Sequence, residues 1–160
     1  IKATQATLEG LSGVFRHLVR EHGEVSTLLL RLKFSADPNM RRELWSEVRA
    51  ELLSHERAEI TEVYPALRQD KQTLAMVQEH DTDASDLEEL IDELSATDVT
   101  SDRWQPTLER LIAAVQEHVR DEEEEYFPIA DYAFKERSDD MLERYERAKA
   151  KAKKQIASAP

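Results

Sequence analysis

Apolar residues recur along this chain at steps of three and four, the spacing that keeps them on one face of an α-helix. The first stripe is Phe15, Leu18, His22, Val25, Leu29 and Leu32, predicting a helix over about residues 11–32. The segment SADP then supplies a start signal, with Asp37 as cap and Pro38 in the first helical position. Leu44, Val48, Leu52, His55, Glu59 and Val63 make the second stripe. Val77, His80, Ala84, Leu87, Ile91 and Leu94 make the third, over about residues 71–94. After the polar loop SATDVTSD, a fourth carries Trp104, Leu108, Leu111, Val115, His118, Glu122 and Ile129. A last helix, about residues 138–156, opens on Ser138, Asp139 and Asp140 and ends in lysines, a charge order that suits the helix dipole. Its Met141, Tyr145 and Ala148 would pack on the rest. Long helices joined by short loops predict an all-α fold. It is an antiparallel up-down-up-down four-helix bundle over about residues 11–134 with an additional C-terminal helix, and 1–160 form a single domain.

Composition narrows the function classes. Three glycines among 160 residues, with 40% apolar and 35% charged, agree with long helices. No run of apolar residues is long enough to span a membrane. A net charge of −12 opposes binding to nucleic acid or to anionic membranes. Cysteine is absent, which removes disulfides, thiol catalysis and Cys-ligated zinc or iron–sulfur centres. No basic-then-apolar segment opens the sequence, so a cytoplasmic location is the expectation.

The chemistry begins with a repeat. SHERAEITEVYPAL places His55, Glu59 and Pro65 at the same spacing as His118, Glu122 and Pro128 in EHVRDEEEEYFPIA, and each member lies 63 residues from its counterpart. A proline inside an apolar-periodic helix loses a backbone hydrogen bond, so each helix is expected to kink or end there. The repeat extends weakly to REHGEV around His22 and QEHDTD around His80, relating the first two helices to the next two by a pseudo-twofold.

Four of the five histidines lie on apolar stripes, one per helix: His22, His55, His80 and His118. Glu59 and Glu122 follow one turn after His55 and His118 and face the same way. A single inward histidine is more often a hydrogen-bonded core residue than a ligand. Four with two carboxylates are different, because buried charges need partners or cations. His17 lies about 140° round the helix from His22 and reads as a surface or second-layer residue. Of the acidic run 121–125 only Glu122 shares the face of His118, so Glu123 and Glu124 are expected on a solvated face.

Six ligands exceed the capacity of one tetrahedral zinc. Imidazole with carboxylate suits iron, manganese or zinc, whereas calcium and magnesium want oxygen. A glutamate between two histidine pairs can bridge two cations, which explains why the His–Glu motif occurs twice. The Glu-x-x-His pairs of ferritin-like bundles are absent, as is His-Glu-x-x-His.

His22, His55-xxx-Glu59, His80 and His118-xxx-Glu122 on four successive helices, with the tails EVYP and EYFP, resemble the hemerythrin-like (HHE cation-binding) family. The resemblance covers about residues 11–134, and the last helix is similar to a tail common in bacterial members. It implies a cofactor of two non-haem iron ions, bridged by two carboxylates and an oxo or hydroxo group. His22, His55, His80 and His118 would be terminal ligands and Glu59 and Glu122 the bridges. Oxygen-carrying hemerythrins have a further histidine on the third helix, but Met76 and Ala84 occupy the positions four from His80. Each iron then keeps an open position. Water, Glu56, Tyr64 or Tyr126 are the candidates to fill one, although Glu56 points about 100° from His55.

Two open irons favour a protein that binds or reacts with O2 or hydrogen peroxide, including catalase-like peroxide decomposition. The alternatives are a module that senses iron, oxygen or nitric oxide without turnover, and a helical interaction protein with a polar core. The expected partners are therefore small molecules, and the sequence points to no protein partner.

Overall fold

The computed structural model describes residues 10–158, so residues 1–9 and 159–160 of the expected single domain lie outside it. The described residues form helices and connecting turns. The long helices are α1 (Gly13–Lys33), α2 (Pro38–Ala58), α4 (Leu74–Ser95), α5 (Trp104–Asp121) and α7 (Ser138–Ser158), with shorter α3 (Tyr64–Arg68) and α6 (Phe127–Phe134). α2 starts as its sequence requires: the Asp37 carboxylate accepts from the Asn39 amide at 3.1 Å, and Pro38 fills the first helical position.

The regular α-helix is interrupted just before each proline, as expected, but the chain stays helical through the interruption. Pro65 and Pro128 lie in the first turn of α3 and α6, each preceded by one wide π turn, Glu59–Val63 or Glu122–Tyr126. There the amide of Tyr64 reaches back to the carbonyl of Glu59, and that of Phe127 to Glu122. The extra residue absorbs the donor that proline lacks, and the chain continues helical. It also moves the following residues one place round the axis, which decides the aromatic that faces inward.

The core divides into two apolar clusters with a polar layer between them. α1 passes from Phe15 and Leu18 in one cluster, through His22, to Val25, Leu29 and Leu32 in the other. α2 runs the opposite way, from Val48 and Leu52 through His55 and Glu59 to Val63 and Tyr64. α4 repeats the direction of α1, from Val77 through His80 to Leu87, Ile91 and Leu94. α5 repeats that of α2, from Leu108, Leu111 and Val115 through His118 to Phe127 of α6. This alternation is the up-down-up-down bundle, with every long helix of the four contributing one histidine at mid-height.

α7 packs along α2 and α1 and spans both clusters, with Met141 and Tyr145 in one and Ile156 in the other. Its start is fixed by Gly13, whose φ of +50° favours glycine and whose missing Cβ leaves room for Ser138. A Cβ there would fall 2.6 Å from the Ser138 carbonyl carbon. The backbone amide and the hydroxyl of Ser12 both donate to Asp131 Oδ1, at 2.9 and 2.8 Å, tying the beginning of α1 to α6.

Candidate metal centre

The polar layer contains His22, His55, His80, His118, Glu56, Glu59 and Glu122, all buried, and Glu59 and Glu122 are sealed completely. Their donor atoms fall into two groups. His22, His55, Glu59 and Glu122 form one; His80, His118, Glu56 and Glu59 form the other. Within each group one ligand atom per residue lies within 4.8 Å of the others, as atoms surrounding a single cation do. Glu59 belongs to both. Glu122 also approaches both histidine pairs, with Oε1 3.4 Å from His22 Nε2 and 3.0 Å from His118 Nε2.

The atoms that face one another across the layer lack hydrogen-bond partners. Among the described residues the buried orphans include Nε2 of all four histidines, both oxygens of Glu59, Oε2 of Glu56 and Oε1 of Glu122. His55 Nε2 stands 2.6 Å from Glu59 Oε1 and His118 Nε2 2.9 Å from Glu56 Oε1, without hydrogen-bond geometry. Trp104 Nε1 is a further orphan, in the apolar cluster. Leaving one such group unmade costs roughly 1–3 kcal/mol. A concentration of them around shared points fits cations that accept lone pairs from every side. The set of imidazole and carboxylate donors suits iron, manganese or zinc.

Electrostatics give the same picture without metal. Burial alone would lower the pKa of the His118 ring, but the carboxylates of Glu56 and Glu122 hold it well above its ordinary value. His55 is raised likewise against burial, chiefly by Glu59 and Glu21. His22 and His80 shift upward for the same reason. Burial would raise Glu122, yet His118 and His22 pull it well below its usual range, and Glu56 is lowered by His118 and His80. Protons therefore occupy the metal-free cluster where cations would sit, and metal uptake must expel them.

Outside the inner donors, carboxylates and phenols orient the rings. Glu123 Oε2 lies 3.3 Å from His22 Nδ1, and Glu21 Oε1 lies 3.1 Å from His55 Nδ1. A carboxylate on Nδ1 places the proton there and frees Nε2 to face the layer. Tyr64 stacks on His80, with centroids 3.5 Å apart and planes 13° apart, and its hydroxyl donates to Glu122 Oε2 at 2.7 Å. Burial and the charges of Glu122 and Glu59 push the Tyr64 phenol well above its ordinary pKa, so it remains a donor.

Two expectations need correction, and a third is met despite the angle that stood against it. Glu56, a candidate although it points about 100° from His55, does reach the layer: its side chain leads from α2 toward α4 and α5, and its carboxylate approaches His118 and, at 3.7 Å, His80. Tyr126 does not reach the layer; its hydroxyl donates to Glu79 Oε2 at 2.8 Å. The π turn is the reason, since it brings Phe127, the counterpart of Tyr64, to stack on His22. Glu123 is buried against His22 rather than solvated, for the same wide turn includes it. His17 holds its second-layer position, with Nε2 3.3 Å from Glu21 Oε2. Glu21 itself was not legible as a site residue, because it precedes His22 by one position and lies off the apolar stripe.

Beneath the layer, on the side of the Leu and Val cluster, is a cavity of about 20 Å3. Its walls are Val25, Leu52, Leu87, Val115 and Val119, and its roof is His22, His55, Glu56 and His118. That volume admits one molecule of the size of water.

A helical bundle with two buried His/Glu groups across its middle defines a metal-binding protein. The chain belongs to the hemerythrin family: the model of the hemerythrin HHE cation-binding domain matches residues 10–130. No curated protein and no solved structure matches it. Among the described residues no helix is long and apolar enough to cross a membrane.

Proposed function

We propose that this chain is a non-haem di-iron protein that reacts with O2 or hydrogen peroxide, with catalase-like decomposition of peroxide as the leading form. The observation that carries this reading is the pair of donor groups sharing Glu59 beside a cavity one small molecule in size. His22 and His55 would hold one ion, His80 and His118 the other, with Glu59 and Glu122 between them. Glu56 would add a third carboxylate on the His80–His118 side. In and around the layer Glu21, Glu56, Glu59, Glu122 and Glu123 are buried carboxylates, and Lys149, which Glu21 shares with Glu51, leaves an excess of negative charge that divalent cations would offset. Two irons held by these residues would supply the two electrons that reduce one hydrogen peroxide to two waters, and would recover them from a second peroxide oxidised to O2.

The residues around the centre have defined tasks in this reading. Tyr64 orients Glu122 through its hydroxyl and keeps that oxygen from rotating away. Phe127 and Tyr64 close the layer on one side, and the aliphatic cavity walls admit a small neutral molecule while excluding larger or charged ones. Glu56 blocks one side of the second position, so the two positions differ in access.

Iron-loaded protein consuming hydrogen peroxide catalytically, with zinc-loaded protein inert, supports the reaction. Iron-loaded protein that binds O2 or nitric oxide spectroscopically but consumes no peroxide would replace it with the sensing reading. That second reading has its own support: α7, outside the matched family region, makes polar contact with the centre through Tyr145.

A further inference from the structure

The two histidine pairs are backed differently, and a helix beyond the family match grips the carboxylate behind one of them. Both imidazoles of the His22–His55 pair have a carboxylate at Nδ1, namely Glu123 and Glu21. On the other side His80 Nδ1 is buried with no partner. The repeat accounts for this: the residue 63 before Glu123 is Ile60, which cannot accept a proton.

Glu21 is held by more than its own helix. The Tyr145 hydroxyl donates to the same Oε1 that faces His55, and lies 3.1 Å from His55 Nδ1. The Lys149 ammonium donates to Oε2, which His17 also approaches at 3.3 Å. Lys149 continues to Glu51 at 3.0 Å, and Lys153 pairs with Glu51 as well. Tyr145 and Lys149 are one turn apart on α7, so a single face of that helix grips both oxygens of one buried carboxylate. Tyr145 is fully buried, and a phenol in that position without a partner would be costly.

We propose that Tyr145 and Lys149 are positioning residues for the His22–His55 half of the metal centre. By fixing the Glu21 carboxylate they hold the His55 ring with its proton on Nδ1 and its Nε2 lone pair directed into the donor group. The His80–His118 half has no such link to α7. This inference rests on the reading that the layer takes two metal ions, and it assigns the C-terminal helix to one of them. Partners of this kind behind a ligand imidazole typically change metal affinity by about 10–100-fold.

Titration of the metal-free full chain with Co(II), followed by its visible absorption, tests this. The parent takes up two equivalents. Tyr145→Phe, which keeps the ring and removes the hydroxyl, weakens one equivalent by about 10–100-fold and spares the other. Lys149→Met does the same. Ile156→Ala loosens the packing of α7 without touching Glu21, so it lowers the melting temperature but titrates as the parent does. If Tyr145→Phe and Lys149→Met titrate like the parent, as Ile156→Ala does, or weaken both equivalents alike, the helix is a packing element only. The titration involves no turnover. A lack of peroxide chemistry therefore counts against the proposed reaction alone, while a parent that takes up no cobalt overturns both.

Discussion

Glu56 and Val119 stand 63 residues apart, the offset that relates His55 to His118, yet only one of them is a carboxylate. The same offset pairs Tyr64 with Phe127 and Ile60 with Glu123. The repeat thus supplies the shared parts of the layer, His and Glu in duplicate, and its mismatches make the two halves unequal. Helical periodicity made the four histidines and Glu59 and Glu122 legible, because each is three or four residues from a core apolar neighbour. It did not reveal Glu21 or Glu123 and offered Glu56 only as a candidate set off from His55; all three lie one position off a stripe and reach the layer by side-chain length or by the wider turn. At this scale Glu59→Ala should lose both ions, since Glu59 belongs to both donor groups, whereas Glu56→Ala loses at most the one beside His80 and His118. His17→Ala should keep the parent's metal content. Elemental analysis of the purified variants checks the order, and equal losses from Glu59→Ala and Glu56→Ala would contradict it.

Among the elements, the π turns were hidden from the sequence. Proline signalled an interruption, and the chain makes it by widening one turn and continuing helical, so Tyr64 and Phe127 take the inward places. Ile60 lies in the first of these turns with about half its surface exposed (46%), so its side chain contributes little to the core. Deleting Ile60 would remove the extra residue and return the turn to ordinary α geometry with Tyr64 still facing inward, but it would bring the Pro65 ring against the carbonyl one turn back. Val63, Tyr64 and Leu67 would keep their faces, and the loss would come from that clash, about 3 kcal/mol. Thermal unfolding should show a large loss of melting temperature for the deletion and a change of only a few degrees for Ile60→Ala. Comparable losses from the two changes would mean that the wide turn does nothing to accommodate Pro65. α7 illustrates a second limit: its apolar residues predicted docking, but its polar grip on Glu21 depends on tertiary placement that spacing does not encode.

The molecule as a whole is two apolar plugs separated by a layer that is charged without metal, and this sets its response to pH. In the metal-free fold the four histidines have pKa values above the ordinary 6.5. Their contribution is fully present below 6.5 and is lost as pH rises through the raised values. Glu56 and Glu122 are depressed, so theirs is present above the ordinary 4.5 and lost only as pH falls through the lowered values. The metal-free protein should therefore be most stable in mildly acid solution and weaken toward alkaline pH. Metal binding requires neutral imidazoles, so its stabilisation grows in the same direction. The gap in melting temperature between loaded and metal-free protein should widen between about pH 6 and pH 9. A gap that narrows over this range would show that the histidines do not exchange protons for metal.

Iron content per chain, measured on protein loaded anaerobically with Fe(II) and then desalted, tests the central claim most directly. The two donor groups predict about two iron per chain for the parent and almost none for Glu59→Ala. A parent that retains no iron, or a Glu59→Ala variant that retains as much as the parent, would contradict it.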